Sequence, residues 1–282
     1  MKTNARPKVA RPSFSLGIDL GRTWLRACLA DSEGRVLRRG RLPAVPWQRL
    51  PEVMPRLRRQ LRFRLLSRLT LGSTGLWAPA TLAAARRLLR PWARRVAAVS
   101  DVELAHAAAF GAGAGVLVVA GTGSIAVARD RQGHGRRTGG WGQLLGDEGS
   151  GFWIGRAALR DSLLRRRLGL GPPALPPTPE SVRAVARLAP KVLRLARIEP
   201  RARRVRGQAA RHLALLAKRA GQGLSWDGPI PVCCWGGVFR DRALAAQFQR
   251  ALGRRRHQIL RPRMEADVAA AVLNIDLISA RG

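Results

Sequence analysis

One pattern constrains this chain more than any other, because it occurs twice. SFSLGIDLG (13–21) is an apolar run closing in a glycine turn, TWLRACLAD (23–31) reads as a second strand, and SEGR turns the chain into RVLRRGRL (35–42). Later, GVLVVAGTGS (115–124), IAVARD and RRTGGWG repeat the layout. Strand, glycine-rich turn, strand, turn, strand is an antiparallel meander. Helical periodicity follows the first meander at 47–67 and 76–95, and follows the second from 147 to 167 and across 181–224. Further strands are expected at LTLGST (69–74), VAAVSD (96–101), PVCCWGG (231–237) and HQILRP. VELAHAAAFGAG reads as a small-residue helix, GLGPPALPPTPE (169–180) as a Pro-rich loop and MEADVAAAVLNIDLISA as a closing helix. Meanders followed by helices, twice over, predict two α/β domains with a cleft between them.

Three glycine turns fall where strands end: Asp19-Leu20-Gly21-Arg22-Thr23, Gly121-Thr122-Gly123-Ser124 and Gly236-Gly237-Val238-Phe239. Glycine permits close backbone approach and positive φ, so such turns can present N–H groups to phosphate oxygens. Any one of them is also an ordinary hairpin feature; their order along the chain is the more specific signal. No GxxxxGK[ST] occurs, and no GxGxxG follows a strand in a dinucleotide-binding unit.

The segment GGWGQLLGDEGSGFWIG (139–155) stands apart. It holds seven glycines, two tryptophans and the Asp147–Glu148 pair, and it lacks Lys and Arg in a chain with 52 of them. Read plainly, Asp147 and Glu148 open a helix, where acids suit the macrodipole, and Trp153 is a core residue. Asp101 can likewise be read as a cap of the helix that follows it. His106 is read as a helix-face residue and His134 as a turn residue.

Composition bounds the rest. The formal charge is +35, which raises the prospect of a polyanion partner; yet only Lys2, Lys8, Lys191 and Lys218 are lysines, and Tyr is absent. A GC-rich coding bias would produce the same arginine excess on solvated faces, so both readings stay open. Three cysteines, Cys28 and the adjacent Cys233 and Cys234, lack CxxC spacing and are expected to pack in strands of a protein in a reducing cytoplasm. The basic start, MKTNARPKVARP, leads into no apolar core of a signal peptide. No run approaches ~18 apolar residues, so no membrane span is expected.

GTGSIAVARDRQGHGRRTGGWGQLLGDEGSGFWIG, with GIDLGRT, VSDVELAHAAAFGA and WGGVFRD in order around it, resembles the N-acetylglucosamine kinases and the related BadF/BadG/BcrA/BcrD ATPases of the actin-like superfamily. The likeness covers most of the chain and is weak at 40–95 and 160–225. It implies an α/β fold of two actin-like (ribonuclease H-like) domains flanking a central nucleotide cleft, at 13–112, with 266–282 returning to it, and at 113–265. It implies ATP and Mg²⁺ as cofactors. Asp19 would hold the Mg²⁺, through water, beside Gly21 and Thr23 in the first phosphate turn. Gly121, Thr122 and Gly123 would form the second turn, and Gly236 and Gly237 would lie against adenosine. Asp101 matches the catalytic aspartate, which takes the proton of the sugar hydroxyl as its oxygen attacks the γ-phosphorus. Gly140, Trp141 and Asp147 match sugar-contacting positions. Arg22 stands where the family usually has glycine.

The resemblance thus implies an ATP-dependent kinase of an amino sugar such as N-acetylglucosamine or glucosamine, and it leaves room for a homodimer. Two alternatives remain at this level. One is an activator-type ATPase of the BadF/BadG kind, which would need cysteines to hold an iron–sulfur cluster. The other is a degenerate kinase acting as a basic nucleic-acid-binding module, with 194–211 (RLARIEPRARRVRGQAAR) as its surface. That stretch has no aromatic residue on which bases could stack.

Overall fold

The computed structural model describes residues 13–21, 23–172 and 178–275. Arg22 and the basic start of the chain lie outside the described residues. Along the chain run β1 (Phe14–Leu20), β2 (Trp24–Ala30), β3 (Val36–Pro43), α1 (Leu50–Leu61), β4 (Leu66–Ser73), α2 (Pro79–Leu89), β5 (Ala93–Ser100) and α3 (Asp101–Phe110). Then come β6 (Gly115–Ala120), β7 (Ser124–Arg129), β8 (Gly135–Gly139), α4 (Gly142–Leu145), α5 (Gly151–Arg160), α6 (Ser162–Arg167), α7 (Pro179–Ala186), α8 (Ala189–Leu195) and α9 (Pro200–Gly221). β9 (Ile230–Trp235), α10 (Arg242–Leu252), β10 (His257–Leu260) and α11 (Ala266–Val272) complete it. The described residues form two compact units, one from residues up to 111 together with 263–275, the other from 112–262.

Each unit carries a five-stranded sheet, ordered β3-β2-β1-β4-β5 in the first and β10-β9-β6-β7-β8 in the second. The topology is the same in both. A three-strand antiparallel meander is extended by two parallel strands. Parallel neighbours require a crossover, supplied by α1 and α2 in the first unit and by α10 between β9 and β10 in the second. This is the ribonuclease H-like arrangement, present twice.

Strand periodicity divides the first sheet into two faces. Leu16, Ile18 and Leu20 of β1 join Leu69 and Leu71 of β4 beneath Met54, Leu57 and Leu89 of α1 and α2. Ser15, Gly17 and Asp19 alternate with them and take the other face. There α11 lies so close that a Cβ on Gly17 would stand 2.3 Å from the Ala271 nitrogen. In the second unit Val116, Val118, Ala126 and Val232 pack against α5, α8, α9 and α10 in one core.

Several boundaries differ from the sequence pattern. The first helix stops at Leu61, where Arg62 turns left-handed at φ 54°, and β4 starts at Leu66. The second stops at Leu89, Pro91 occupies a short 3-10 turn, and β5 already begins at Ala93. No helix starts at Asp147. Its φ is +63°, and α5 begins at Gly151 with the Ser150 hydroxyl as cap. His106 is buried rather than on an open helix face, 4.9 Å from the Phe110 ring. Trp153 packs on the second core and edges onto His212. Part of the Pro-rich loop, 173–177, lies outside the described residues. Among those described, no helix is long and apolar enough to cross a membrane.

Candidate active site

In the first unit the sheet's parallel strands deliver Asp19, Thr74 and Asp101 at or just beyond their C-terminal ends. Asp19 is the penultimate residue of β1, and its side chain is 14% exposed. Arg26 sits directly opposite on β2 and donates from Nη1 to its Oδ2 at 3.3 Å. Burial pushes the Asp19 carboxyl up to about 6; Arg26 pulls it down, while the charges of Asp101 and Asp267 push it further up. Asp19 and Asp101 therefore lie within electrostatic reach of each other. Asp267, buried on α11, is clamped by Arg39 through Nε at 3.0 Å and Nη2 at 2.9 Å, and Arg39 also reaches Glu265.

Asp101 is the first residue of α3 and not its cap. Ser100 takes that role: its hydroxyl accepts from Glu103 N–H at 3.1 Å, and the Glu103 carboxylate accepts from Ser100 N–H at 3.0 Å. The capping box satisfies the helix end and leaves Asp101 for other work. Thr74, in the turn after β4, donates its hydroxyl to Asp101 Oδ2 at 2.9 Å. Close packing fixes this geometry, since a Cβ on Gly72 would fall 2.3 Å from Leu104 of α3. The first turn is closed by Gly21 N–H donating to Trp24 O at 3.1 Å, with Thr23 exposed.

In the second unit the β6–β7 turn is held from behind. Asp147 Oδ1 accepts from Ser124 N–H at 2.9 Å, and the Ser124 hydroxyl donates to Glu148 O. Gly151 N–H donates to Gly121 O at 2.8 Å, and Phe152 N–H to Thr122 O at 3.1 Å. The free N–H groups at the start of α5 are thus spent on the turn's carbonyls. Within the described residues no acceptor engages the N–H groups of Thr122 and Gly123. The glycine at 123 answers to sterics rather than positive φ: a Cβ there would stand 2.7 Å from the Asp147 carboxylate. Gly236 is different, with φ +102° and its Cβ position 2.4 Å from Ala120 O, so β9 ends hard against β6. Gly237 opens a short 3-10 turn beside open space.

The tryptophan–glycine segment is therefore mostly packing. The Cβ positions of Gly140, Gly149, Gly151 and Gly155 are filled by Ile125, Ala209, Gly121 and Val185 of the protein itself. Trp141 is 69% exposed, and Leu144 and Leu145 beside it are open. A cation does reach this segment from outside it: Arg137 of β8 donates to Gly140 O at 3.3 Å and stands 5.7 Å from the Trp141 ring.

Sequence reasoning missed Arg26, Thr74 as a partner of Asp101, and Asp267. Arg26 had a signal: across a hairpin with a four-residue turn it falls opposite Asp19. The cysteines are free; burial pushes the Cys28 and Cys233 thiols up to about 11 and Cys234 to about 12, away from the thiolate form that holds metals. The basic stretch 194–211 enters α9 with Ala202, Val205, Ala209 and even Arg206 turned inward, so Arg201, Arg203, Arg204 and Arg211 line the solvent face of a core helix, with Arg194 on α8 and Arg197 between the two helices.

Two ribonuclease H-like units, each with a glycine turn after its first strand, the first carrying Asp19 near the end of β1 and Asp101 just beyond the end of β5, have the fold of the actin-like ATPases. Residues 91–273 match the BadF/BadG/BcrA/BcrD ATPase family, and the chain belongs to that family. It is 42% identical over 69 residues to the N-acetylmuramic acid/N-acetylglucosamine kinase of Clostridium acetobutylicum, a stretch covering 24% of this chain and 22% of that protein. It is 47% identical over 58 residues to the N-acetyl-D-glucosamine kinase of Dictyostelium discoideum, covering 21% and 18%. The matched stretch thus spans less than a quarter of either relative. A crystal structure from Porphyromonas gingivalis, provisionally assigned as an N-acetylglucosamine kinase, shares the fold with a TM-score of 0.70 at 20% identity, over 91% of this chain and 98% of that one.

Proposed function

We propose that this protein transfers the γ-phosphoryl group of ATP to a hydroxyl of an amino sugar, with Asp101 as the base. The observation that carries the reading is the placement of Asp101. Its capping duty is taken by Ser100, one carboxylate oxygen is fixed by Thr74, and Asp19 lies within electrostatic reach. A positioned proton acceptor and a second carboxylate for a metal are what phosphoryl transfer asks of the protein, besides donors for the phosphates.

Asp19 suits Mg²⁺, held through water. Its carboxylate is buried beside two other acids, and Arg26 alone leaves that charge undercompensated. When bound, the ion neutralises charge building on the β- and γ-phosphates. Gly21 and Thr23 border the same end of the first sheet. Thr122 and Gly123 offer N–H groups to phosphate oxygens from a turn braced by Asp147 and α5, and Gly237, beside open space where Gly236 packs on β6, gives backbone surface for adenosine. Gly140, Trp141 and Asp147 are assigned to the sugar side, Trp141 as an exposed ring and Asp147 indirectly, since its buried carboxylate accepts from Ser124 N–H and anchors the segment that carries Gly140 and Trp141. The two amino-sugar kinases that match 69 and 58 residues of the chain support the substrate class. The test is ADP release from ATP·Mg²⁺ across a panel of amino sugars and their N-acetylated forms. Release stimulated by at least one of them is expected. ATP hydrolysis indifferent to every sugar would remove the reading.

A further inference from the structure

The second unit contains a cavity of about 1230 Å³ at the end of its sheet opposite the phosphate turn. β9 runs away from this cavity at Ile230 toward Gly236, so its length, about 20 Å, separates the two. Lys218, Arg254, Arg255, Arg256, His257 and Trp226 line it, and no carboxylate does.

Helix ends near an anion site ordinarily work against it when they are C-terminal, since carbonyls carry the negative pole. Here α9 and α10 both end at the cavity, and three carbonyls at or just past their ends already accept hydrogen bonds. Lys218 Nζ donates to Ala251 O at 2.8 Å, the Trp226 indole to Gly221 O at 2.9 Å, and Arg136 to Gln222 O at 2.6 Å. His257 Nδ1 lies 3.2 Å from Gly253 O. Burial, opposed by that hydrogen bond and reinforced by the charges of Lys218 and Arg256, holds the imidazole below its ordinary value. Arg254, Arg255 and Arg256 are exposed on the α10–β10 loop, and among the described residues none has a carboxylate within ion-pair distance. Three consecutive guanidinium forks around a concave, acid-free wall match an anion with several oxygens to share.

We propose that this cavity binds a small anion carrying two or more phosphoryl groups, at a site separate from the candidate active site. A small ligand fits better than a nucleic acid. The cations line a cavity rather than a ridge, and of the rings there Trp226 is half-buried against the second core while His257 is held at Gly253 O, so neither stands open as a platform for successive bases.

The probe is inorganic tripolyphosphate, titrated calorimetrically into the full chain at about 0.15 M salt. Arg254→Ala/Arg255→Ala/Arg256→Ala is expected to weaken binding about tenfold or more. Removing equal charge from the exposed face of α1, in Arg56→Ala/Arg58→Ala/Arg59→Ala, is expected to leave it unchanged. Single Arg255→Glu, with melting followed in parallel, serves if the triple variant folds poorly, and is expected to weaken binding as well. Equal loss in both triple variants would show diffuse attraction to a chain of high charge and overturn the site. No loss in the cavity variants would place the anion elsewhere and overturn it too. Tighter binding of a single-stranded RNA than of tripolyphosphate, abolished by the cavity variant, would replace the small anion with a nucleic acid.

Discussion

The carboxylate of Asp147 receives the backbone N–H of Ser124 at 2.9 Å, and the Cβ that Gly123 lacks would lie 2.7 Å from the same carboxylate. One acid therefore braces the second glycine turn from 23 residues away in sequence. Removing it leaves a buried donor unpaired, which costs about 1–3 kcal/mol. Asp147→Ala is expected to lose that much stability in urea unfolding. Asp147→Asn keeps an acceptor oxygen and is expected to hold the fold while raising the KM for the amino sugar. If Asp147→Asn unfolds as readily as Asp147→Ala, the brace depends on charge rather than on the bond.

Ser100 and Asp101 are neighbours with separable duties. Ser100→Ala removes the capping box and is expected to cost about 1 kcal/mol, seen as a lower urea midpoint, with the ratio of sugar to water as phosphoryl acceptor unchanged. A loss of catalysis in Ser100→Ala as large as in Asp101→Asn would return Asp101 to a structural role.

Asp19 gives a pH signature. Its folded carboxyl is raised from 3.8 to about 6, so the folded state resists its ionisation. That penalty is present in full above pH 6 and disappears as pH falls below the unfolded value. Asp19→Asn is expected to be more stable than the parent at pH 8, by up to about 3 kcal/mol, and no more stable near pH 3.5. Equal melting of the two proteins at pH 8 would contradict the burial of an underpaired charge, which is the basis for assigning Mg²⁺ there.

Much of this was legible in the sequence where local chemistry and tertiary structure agree. The two meanders announce themselves because a period of two between glycine turns leaves few other solutions, and both sheets form on those strands. The segment from 146 to 151 misleads for a physical reason. Adjacent acids before an apolar run look like a first helical turn, yet Asp147 adopts φ +63° to reach Ser124, and the helix waits for the Ser150 cap. The glycines of 139–155 were legible as a demand for space, but not whose atoms would fill it; Ile125, Ala209 and Val185 are distant in sequence. Arg39 and Asp267, 228 residues apart, meet only because α11 returns to the first sheet. No local pattern encodes that pair.

The central claim is that Asp101 accepts the proton of an attacking sugar hydroxyl. It is tested most directly by ADP release from ATP·Mg²⁺ with the best amino-sugar acceptor, comparing the parent protein with Asp101→Asn at matched folded concentration. A fall of about 10²–10⁴ in kcat, with the melting temperature and ATP affinity held, is the predicted result. Asp101→Asn working at the parent rate would contradict the account.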